Sequence, residues 1–419
     1  GTIHVLAEEM AGRTTDTLAL MMKGTEILNK DGFLGKSDPY LIFKSIRSDG
    51  EAIEVSGGKS EVIDNSETPV WKEMQVNLVE LCNGKLDNPI RIECWDSDPL
   101  SSDDQIGLLD TTVAELLKGA PLAMKDYKEG RDLKPGNLIC ASGAIVRHPT
   151  FLDYIGSGCE ITVSFAVDFT MSNRDPKDAE SLHSTAGEGM NQYQQAMYSV
   201  ADILVNYDHD KKFCVLGYGG IPPGKEEADH CFALNMNDAE PEVEGVEGLL
   251  DVYKSALDQV KLYGPTNFAD VIKRNHMLAK ETRKQHYHVL VIVTDGDITD
   301  MQPTKNSIVA ASYEVPMSIV IVGVGDEDFS AMEDLDADRG GLIDDDGKAP
   351  ARDIVQFVPF KEAAQQQNVS QKILEEVPRQ LLEYMCVNKR PPPRWSAAEA
   401  TPEEKLYKLP EGNWAKMAQ

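Results

Sequence analysis

The 419-residue sequence predicts two domains, an antiparallel β-sandwich followed by a doubly wound α/β domain with a Rossmann-like sheet. Three observations predict this fold class. The chain is longer than one ordinary hydrophobic core organises. Before about Arg131, short apolar segments alternate with polar loops, as in antiparallel sheets. After Thr150, near-continuous apolar strands alternate with helical patterns, which is typical of a parallel sheet that helices cover on both faces.

The first predicted domain covers residues 1–135. Segments such as Ile3–Ala7, Tyr40–Phe43 and Ile90–Trp95 have the composition of short strands, and loops rich in Gly, Asp, Asn and Pro separate them. One helical segment is predicted from Thr112 to Leu117. The pattern predicts an antiparallel sandwich of two sheets.

The second predicted domain covers residues 150–387. Its buried strands are predicted at Ile161–Val167, Val289–Val293 and Ser318–Val324. Two amphipathic helices are predicted from apolar residues three or four positions apart, which are Met190, Tyr193, Met197, Val200, Leu204 and Tyr207 in one helix and Val369, Ile373, Val377, Leu381 and Met385 in the other. Residues 388–419 contain three consecutive prolines and no periodicity, so we expect a flexible tail or one that lies on the surface.

The formal net charge of −29 excludes nucleic acid as an expected partner, because both molecules are strongly negative. It also repels anionic lipid unless bound cations reverse the local sign. Seven cysteines without a C-x-x-C pair argue against a disulfide framework or a zinc ribbon. No apolar run is long enough to span a bilayer, and the N-terminus lacks the pattern of a signal peptide. We therefore expect a cytoplasmic protein.

Two acidic loops of the first domain predict a calcium site. Asp96, Asp98 and Asp104 follow one predicted strand, and Asp38 belongs to a second acidic loop at residues 29–40. Calcium binds six to eight oxygen ligands, and several carboxylates at one point repel one another unless a cation neutralises them. The alternative is a set of solvated acidic loops without calcium. Asp103 is interpreted as a solvated neighbour.

Oxygen-bearing side chains at strand ends of the second domain predict a Mg²⁺ or Mn²⁺ site. Asp168, Thr170 and Ser172 alternate directly after the first strand of this domain, and Thr266 and Asp295 fall at the ends of other strands or loops. Open α/β sheets bind ligands at the carboxyl ends of their strands. The alternative is a polar rim without metal. Nearby, Asp297 and Asp300 either assist the site or cap the next helix, and capping is the interpretation preferred for Asp300.

The two acidic loops, together with residues 68–73, resemble the C2 domain, a calcium-dependent phospholipid-binding β-sandwich. The resemblance implies calcium ligands at Asp38, Asp96, Asp98 and Asp104. A fifth carboxylate is expected where Gly32 stands, with Asp31 one residue earlier. The apolar side chains implied to enter the lipid headgroup layer are those of Phe33, Leu34 and Leu100.

The second cluster resembles the metal-ion-dependent adhesion site of von Willebrand factor A domains. That resemblance implies that the hydroxyls contact the metal, that the aspartates act directly or through water, and that an acidic group of a partner completes the coordination. A C2 domain followed by an A domain is the arrangement of the copines. The stretches similar to that family are residues 34–39, 81–84, 150–155, 262–269, 316–325 and 352–360.

Resemblance to copines implies a calcium-dependent, phospholipid-binding adaptor that moves from the cytoplasm to the plasma membrane or other membranes and recruits proteins in signalling or trafficking. Copines usually carry two C2 domains, and the one here corresponds to the second. A membrane-targeted enzyme is the main alternative, but Gly57–Ser60 lacks the first glycine of a phosphate-binding loop and Ser157 lacks a nucleophile elbow. We therefore expect no catalysis. Extracellular metal-dependent adhesion is the third alternative.

Overall fold

The computed structural model describes residues 16–30, 35–98, 102–126, 134–187, 189–208, 210–281, 285–296, 298–336, 341–366, 369, 372, 375–392 and 407–408. The chain divides into two compact units that separate between His148 and Pro149. The first predicted strand, Ile3–Ala7, lies outside the described residues. The first unit runs past the predicted boundary at 135 because a long strand there belongs to its sheet.

The elements of the first unit are the strands β1 (Thr17–Thr25), β2 (Pro39–Ile46), β3 (Ala52–Lys59), β4 (Met74–Asn77), β5 (Pro89–Asp96), β6 (Asp104–Thr112), β7 (Leu122–Ala123) and β8 (Asn137–Val146) and the short helices α1 (Leu78–Cys82) and α2 (Val113–Leu116). The predicted helical segment at Thr112–Leu117 is confirmed, and the Thr112 hydroxyl accepts a hydrogen bond from the Glu115 amide as its N-cap.

Two antiparallel sheets form the first unit. One contains β8, β1 and β4 in that order, with β7 beside β8, and the other has the order β3-β2-β5-β6. Their inner faces enclose a core around Trp71, Phe43 and Leu41, all fully buried. The indole nitrogen of Trp71 donates to the Pro39 carbonyl, so the buried polar atom is satisfied at the start of β2. The predicted sandwich is confirmed.

The elements of the second unit are the strands β9 (Glu160–Asp168), β10 (Lys212–Tyr218), β11 (Gly220–Ile221), β12 (Phe232–Ala233), β13 (Glu242–Glu244), β14 (Lys261–Leu262), β15 (His286–Thr294), β16 (Met317–Gly323) and β17 (Val355–Pro359) and the helices α3 (Phe151–Gly156), α4 (Gln192–Leu204), α5 (Gly245–Gln259), α6 (Ala269–Glu281), α7 (Met301–Glu314), α8 (Ser330–Leu335), α9 (Phe360–Gln365) and α10 (Val377–Val387).

The main sheet of the second unit is largely parallel, with the order β12-β10-β9-β15-β16-β17. Alternate residues of β15 enter two different cores: Val291 packs in one, and Leu290 and Ile292 pack in the other. Helices α4 and α5 contribute to the first core, and α6 and α7 contribute to the second. The doubly wound α/β prediction is therefore confirmed.

Both predicted helices of this unit are present. Helix α4 is shorter at both ends than the apolar pattern indicated, and several residues before 375 in the other prediction lie outside the described residues. Helix α4 begins after Asn191, which forms a reciprocal capping box with Gln194. Helix α10 begins at Val377, followed by Pro378 in its first turn, where a missing amide donor costs nothing. None of the helices in the described part of the chain combines the length and the apolar character of a membrane span.

Part of the predicted tail has regular structure. Strand β18 (Tyr407–Lys408) pairs in parallel with β8 and belongs to the first unit. Near the end of α10, the Arg390 carbonyl accepts a hydrogen bond from the Tyr154 hydroxyl, and the Pro391 carbonyl accepts one from the Gln285 side-chain amide. The start of the tail is thus attached to the second unit.

Candidate metal centres

The predicted calcium ligands lie at one end of the sandwich because β2 and β5 are antiparallel neighbours. Their register places Pro39 opposite Asp96, and the register of β5 with β6 places Asp96 opposite Asp104. The Asp38 amide donates to the Asp96 carboxylate over 2.6 Å. Asp96 is buried, whereas Asp104 is exposed. The strand register therefore brings three of the predicted carboxylates, Asp38, Asp96 and Asp104, to the same end of the sheet.

Backbone donors orient these carboxylates. The Asn65 amide donates to the Asp38 carboxylate over 2.6 Å, as the Asp38 amide does to Asp96, while the Ser97 amide fixes the backbone by donating to the Asp38 main-chain carbonyl. Charge-assisted bonds of this kind fix a carboxylate while leaving other lone pairs for a cation. These side chains offer the carboxylate oxygens that calcium prefers, so they fit the ion in ligand type.

Asp103, interpreted from the sequence as a solvated neighbour, is partly exposed and also forms two hydrogen bonds beside the acidic loop that follows β5. Its carboxylate accepts hydrogen bonds from the Tyr40 hydroxyl over 2.7 Å and from the Asp98 amide over 3.1 Å. The Tyr40 bond, more than any other contact, lowers the pKa of Asp103. No local pattern indicates this role, because Tyr40 and Asp103 meet only through the strand register.

Asp31, the shifted fifth ligand, lies outside the described residues, as do Phe33, Leu34 and Leu100. The structure describes both ends of the acidic loop at residues 29–40. The Asn29 side-chain amide donates to the Gly35 carbonyl, and the Lys30 backbone amide donates to the Ser37 hydroxyl. In the part of the chain that is described, no three His, Cys, Asp or Glu side chains form a cluster able to hold a metal ion.

The second candidate centre lies where β9 ends in the α/β unit. Asp168, the last residue of β9, accepts hydrogen bonds at one oxygen from the Thr170 amide over 2.8 Å and the Thr170 hydroxyl over 2.6 Å. The Thr170 and Ser172 hydroxyls are 2.8 Å apart. Alternation after the strand therefore brings the carboxylate and both hydroxyls together, as the sequence predicted.

Asp295 joins this group from the neighbouring strand. It follows β15, which pairs with β9, and its carboxyl has Ser172 and Asp168 as hydrogen-bonding neighbours. Both aspartates are buried. Burial is the main cause that raises the pKa of Asp168, and the charge of Asp295 is the next. Burial also raises the pKa of Asp295. Burial thus disfavours the ionised form of both carboxylates. Two carboxylates beside two hydroxyls fit a hard divalent cation, and the charge of that cation would stabilise the ionised form.

Thr266 is buried near this group but forms no side-chain hydrogen bond to the other four predicted ligands among the described residues. Its carbonyl accepts a hydrogen bond from the Thr299 amide. Gly219 lies between the two loops, because a Cβ there would be 2.4 Å from Thr170 Cγ2 and 3.3 Å from the Pro265 carbonyl oxygen. The structure therefore places the Thr266 loop beside Thr170.

The sequence analysis did not identify two hydroxyl side chains that contact Asp168, those of Thr294 and Tyr218. The Thr294 hydroxyl donates to Asp168 over 3.1 Å, and the Tyr218 hydroxyl lies 3.4 Å from the same oxygen while donating to the Val293 carbonyl. Tyr218 ends β10 and Thr294 ends β15, the two strands that flank β9. The sequence shows only that both residues follow apolar segments, which does not identify Asp168 as their partner.

Asp300 has a different role from the predicted cap of the following helix. It occupies the N-cap position of α7, but its carboxylate accepts hydrogen bonds from the Phe268 and Ala269 amides over 3.0 and 2.9 Å. These donors belong to the start of α6, whose free amide groups attract a carboxylate. Asp297 lies outside the described residues.

Comparison with known families gives two matches. A model described as the copine domain matches residues 181–393, just over half of the chain, and a model of the C2 domain matches residues 17–126. Thr266 and Asp295 fall inside the copine match, whereas Asp168, Thr170 and Ser172 precede it.

Solved structures similar to the chain include three with C2 domains. A structure titled "BON1-C2B" is 24% identical, covering 32% of this chain and 94% of that one, with a TM-score of 0.28. A single C2 domain of plant Extended Synaptotagmin 1 is 13% identical, covering 30% and 92%, with a TM-score of 0.23. The calcium-bound pair of C2 domains of Extended-Synaptotagmin 2 is 23% identical, covering 30% and 44%, with a TM-score of 0.20.

Proposed function

Because this chain belongs to the copine family, we propose that it is a calcium-dependent phospholipid-binding adaptor that recruits a protein partner, an acidic group of which binds a Mg²⁺ or Mn²⁺ site. The proposal includes a cytoplasmic protein that moves to the plasma membrane or other membranes when calcium rises. The observation that supports calcium-dependent membrane binding is the placement of Asp38, Asp96 and Asp104 at one end of the sandwich.

Calcium supplies positive charge at the rim of the first unit, where a chain of net charge −29 otherwise repels anionic lipid. Asp38 and Asp96 are oriented by backbone amides, and Asp103 holds the segment that carries Asp98. These residues therefore present carboxylate oxygens without a large rearrangement of the strands. The fifth ligand is proposed to be Asp31.

The observation that supports recruitment of a protein partner is the contact of Asp168, Thr170, Ser172 and Asp295 at the carboxyl ends of the parallel strands. A divalent cation there supplies an electrophilic centre for an acidic side chain of another protein. Ser172 is exposed, whereas Asp168 and Asp295 are buried, so the hydroxyl side of the group faces a partner.

A non-catalytic role is part of the proposal. Gly57–Lys59 belongs to strand β3, so this segment is not the loop before a helix that binds phosphate. Ser157 lies at the end of α3, and its hydroxyl donates to the Asp153 carbonyl. His183, beside the second centre, is fully buried, and burial lowers its pKa to about 3, which is unsuited to a general base near neutral pH.

Vesicle co-sedimentation tests the proposed calcium-dependent binding to phospholipid. We expect the chain to pellet with phosphatidylserine vesicles at about 0.1 mM calcium and to stay in the supernatant with chelator. The double variant Asp98→Asn, Asp104→Asn removes two ligand charges, so the calcium concentration for half-maximal pelleting should rise roughly tenfold or more.

The matched control is Asp49→Asn with Asp87→Asn, which removes the same charge from two exposed positions near the opposite ends of β2 and β5. It should pellet like the parent chain. Equal pelleting of the parent with calcium and with chelator would contradict the membrane proposal.

A further inference from the structure

A cavity of about 510 Å³ opens beside the loop that carries two of the candidate metal ligands. Met171, between Thr170 and Ser172, lines it and is 63% exposed. The Met171 amide donates to the Tyr263 carbonyl over 2.9 Å, and Leu262, the preceding residue, also lines the cavity. One wall of the cavity is therefore continuous with the metal-site loop.

The floor and the rim of this cavity differ in character. Leu257 and Val260 at the end of α5 and Leu262 of β14 give it an apolar surface. The charged residues that line it are Arg174, Lys177 and Lys261, together with Asp175 and Asp258. Three cations and two acids thus line a cavity on a chain whose formal charge is −29.

Two of the three cations are available to a ligand. Arg174 forms an ion pair with Glu180 at 2.5 Å. Within the described residues, neither Lys177 nor Lys261 forms an ion pair, and both are exposed. Lys261 lies over the Tyr263 ring at 5.7 Å from its centroid, which keeps its ammonium group near the metal-site side of the cavity.

We propose that this cavity binds an acidic peptide segment of a protein partner. One carboxylate of the peptide completes the metal site, an adjacent apolar side chain packs against Leu257 and Leu262, and a second carboxylate faces Lys177 and Lys261. This inference rests on the proposed function of the metal site and adds the chemistry of the partner. With Arg174 paired to Glu180, the lysines Lys177 and Lys261 balance Asp175 and Asp258, so the cavity is close to neutral on a protein of net charge −29. Charge complementarity with the two unpaired lysines supports an acidic ligand.

Peptide selection tests the inference. A random peptide library is selected on the full chain in Mg²⁺, and the most enriched peptide is labelled and measured by fluorescence anisotropy. We expect enrichment of peptides with two acidic residues flanking a large apolar residue. Lys177→Glu with Lys261→Glu should raise the Kd of that peptide roughly tenfold or more, since both charges reverse.

The matched control is Lys212→Glu with Lys254→Glu, two exposed lysines that do not line the cavity, and it should bind the peptide like the parent. Unchanged affinity in the Lys177, Lys261 variant would overturn the cavity assignment while leaving metal-dependent binding intact. A peptide whose binding ignores Mg²⁺ and Asp295→Ala would instead overturn the proposed metal function.

Anionic lipid is the other ligand that two lysines could attract. Vesicle pelleting of the same Lys177, Lys261 variant separates the two. We expect pelleting with phosphatidylserine to match that of the parent. Loss of vesicle binding with unchanged peptide affinity would overturn the peptide proposal, and so would a library that yields no enriched acidic peptide.

Discussion

At the scale of single residues, a glycine decides how closely two metal-site loops approach. Gly219 has a φ of +74°, and its missing side chain leaves room for the Thr170 methyl group. Alanine at this position would cause both backbone strain and a steric clash. Alanine in place of an exposed glycine with positive φ would cause only the backbone strain. The two effects can be separated, because Gly224 has a similar φ of +81° and no atom within 4 Å of a Cβ.

We expect Gly219→Ala to displace Thr170 and to weaken Mg²⁺-induced thermal stabilisation severalfold, whereas Gly224→Ala should leave the Mg²⁺ response unchanged. Each variant should lose about 1 kcal/mol of stability from the positive φ. Melting curves with increasing Mg²⁺ measure both effects. An identical Mg²⁺ response in the two variants would show that Gly219 does not position Thr170.

A buried histidine predicts a pH dependence of stability. Burial first, and then the nearby His286, lowers the pKa of His288 to about 4, from an ordinary value near 6.5. The unfolded chain therefore binds a proton more readily than the folded chain does. The resulting stability is present above pH 6.5 and is lost as the pH falls towards 4.

Between pH 7 and pH 5 this residue should account for about 2 kcal/mol of lost stability. His288→Gln should remove that part of the pH dependence while lowering stability at pH 7, because a buried side chain is replaced. Urea unfolding of parent and variant at both pH values measures it. A parent and a variant that lose the same free energy between the two pH values would refute the assignment.

At the scale of elements, one carboxylate joins two helices. Asp300 precedes α7, yet it accepts hydrogen bonds from two amides at the start of α6 and from the Thr304 hydroxyl of α7. The Thr266 loop enters α6, so this carboxylate also anchors a candidate metal ligand. Position in sequence predicts a cap, but only packing selects which helix receives it.

We expect Asp300→Ala to destabilise the second unit by about 1–2 kcal/mol, the ordinary cost of a lost helix cap. Asp300→Asn keeps one acceptor oxygen and should recover part of that loss. Thermal or urea unfolding measures both variants. If Asp300→Ala and Asp300→Asn were as stable as the parent, the carboxylate would not hold α6.

At the scale of the whole molecule, the two proposed metal functions belong to units with separate hydrophobic cores. Ligand binding stabilises only the unit that folds around it. Asp295→Ala should therefore abolish Mg²⁺-induced thermal stabilisation while retaining calcium-dependent pelleting with vesicles.

The Asp98→Asn, Asp104→Asn variant should show the opposite pattern, with Mg²⁺ stabilisation retained and pelleting weakened. Asp251→Ala, an exposed acid on α5, is the control for Asp295→Ala and should keep both responses. If Asp295→Ala left the Mg²⁺ response unchanged, the metal assignment in the second unit would be wrong.

Sequence alone determined the fold class, because strand periodicity and the change from alternating to continuous apolar runs are local properties. It also determined Asp168, Thr170 and Ser172 as neighbours, since alternation after a strand fixes their direction. The roles of Tyr40 with Asp103 and of Tyr218 with Asp168 could not be predicted. Each pair is distant in sequence and meets only through strand register.

Tertiary structure also decided where the first unit ends, because β8 joins a sheet begun at Thr17, and no composition change marks that pairing. It decided that Asp300 serves α6 and that Gly219 separates the Thr170 and Pro265 loops. The physical reason is the same in each case: hydrogen bonds and close contacts depend on which elements pack together, whereas periodicity depends only on neighbouring residues.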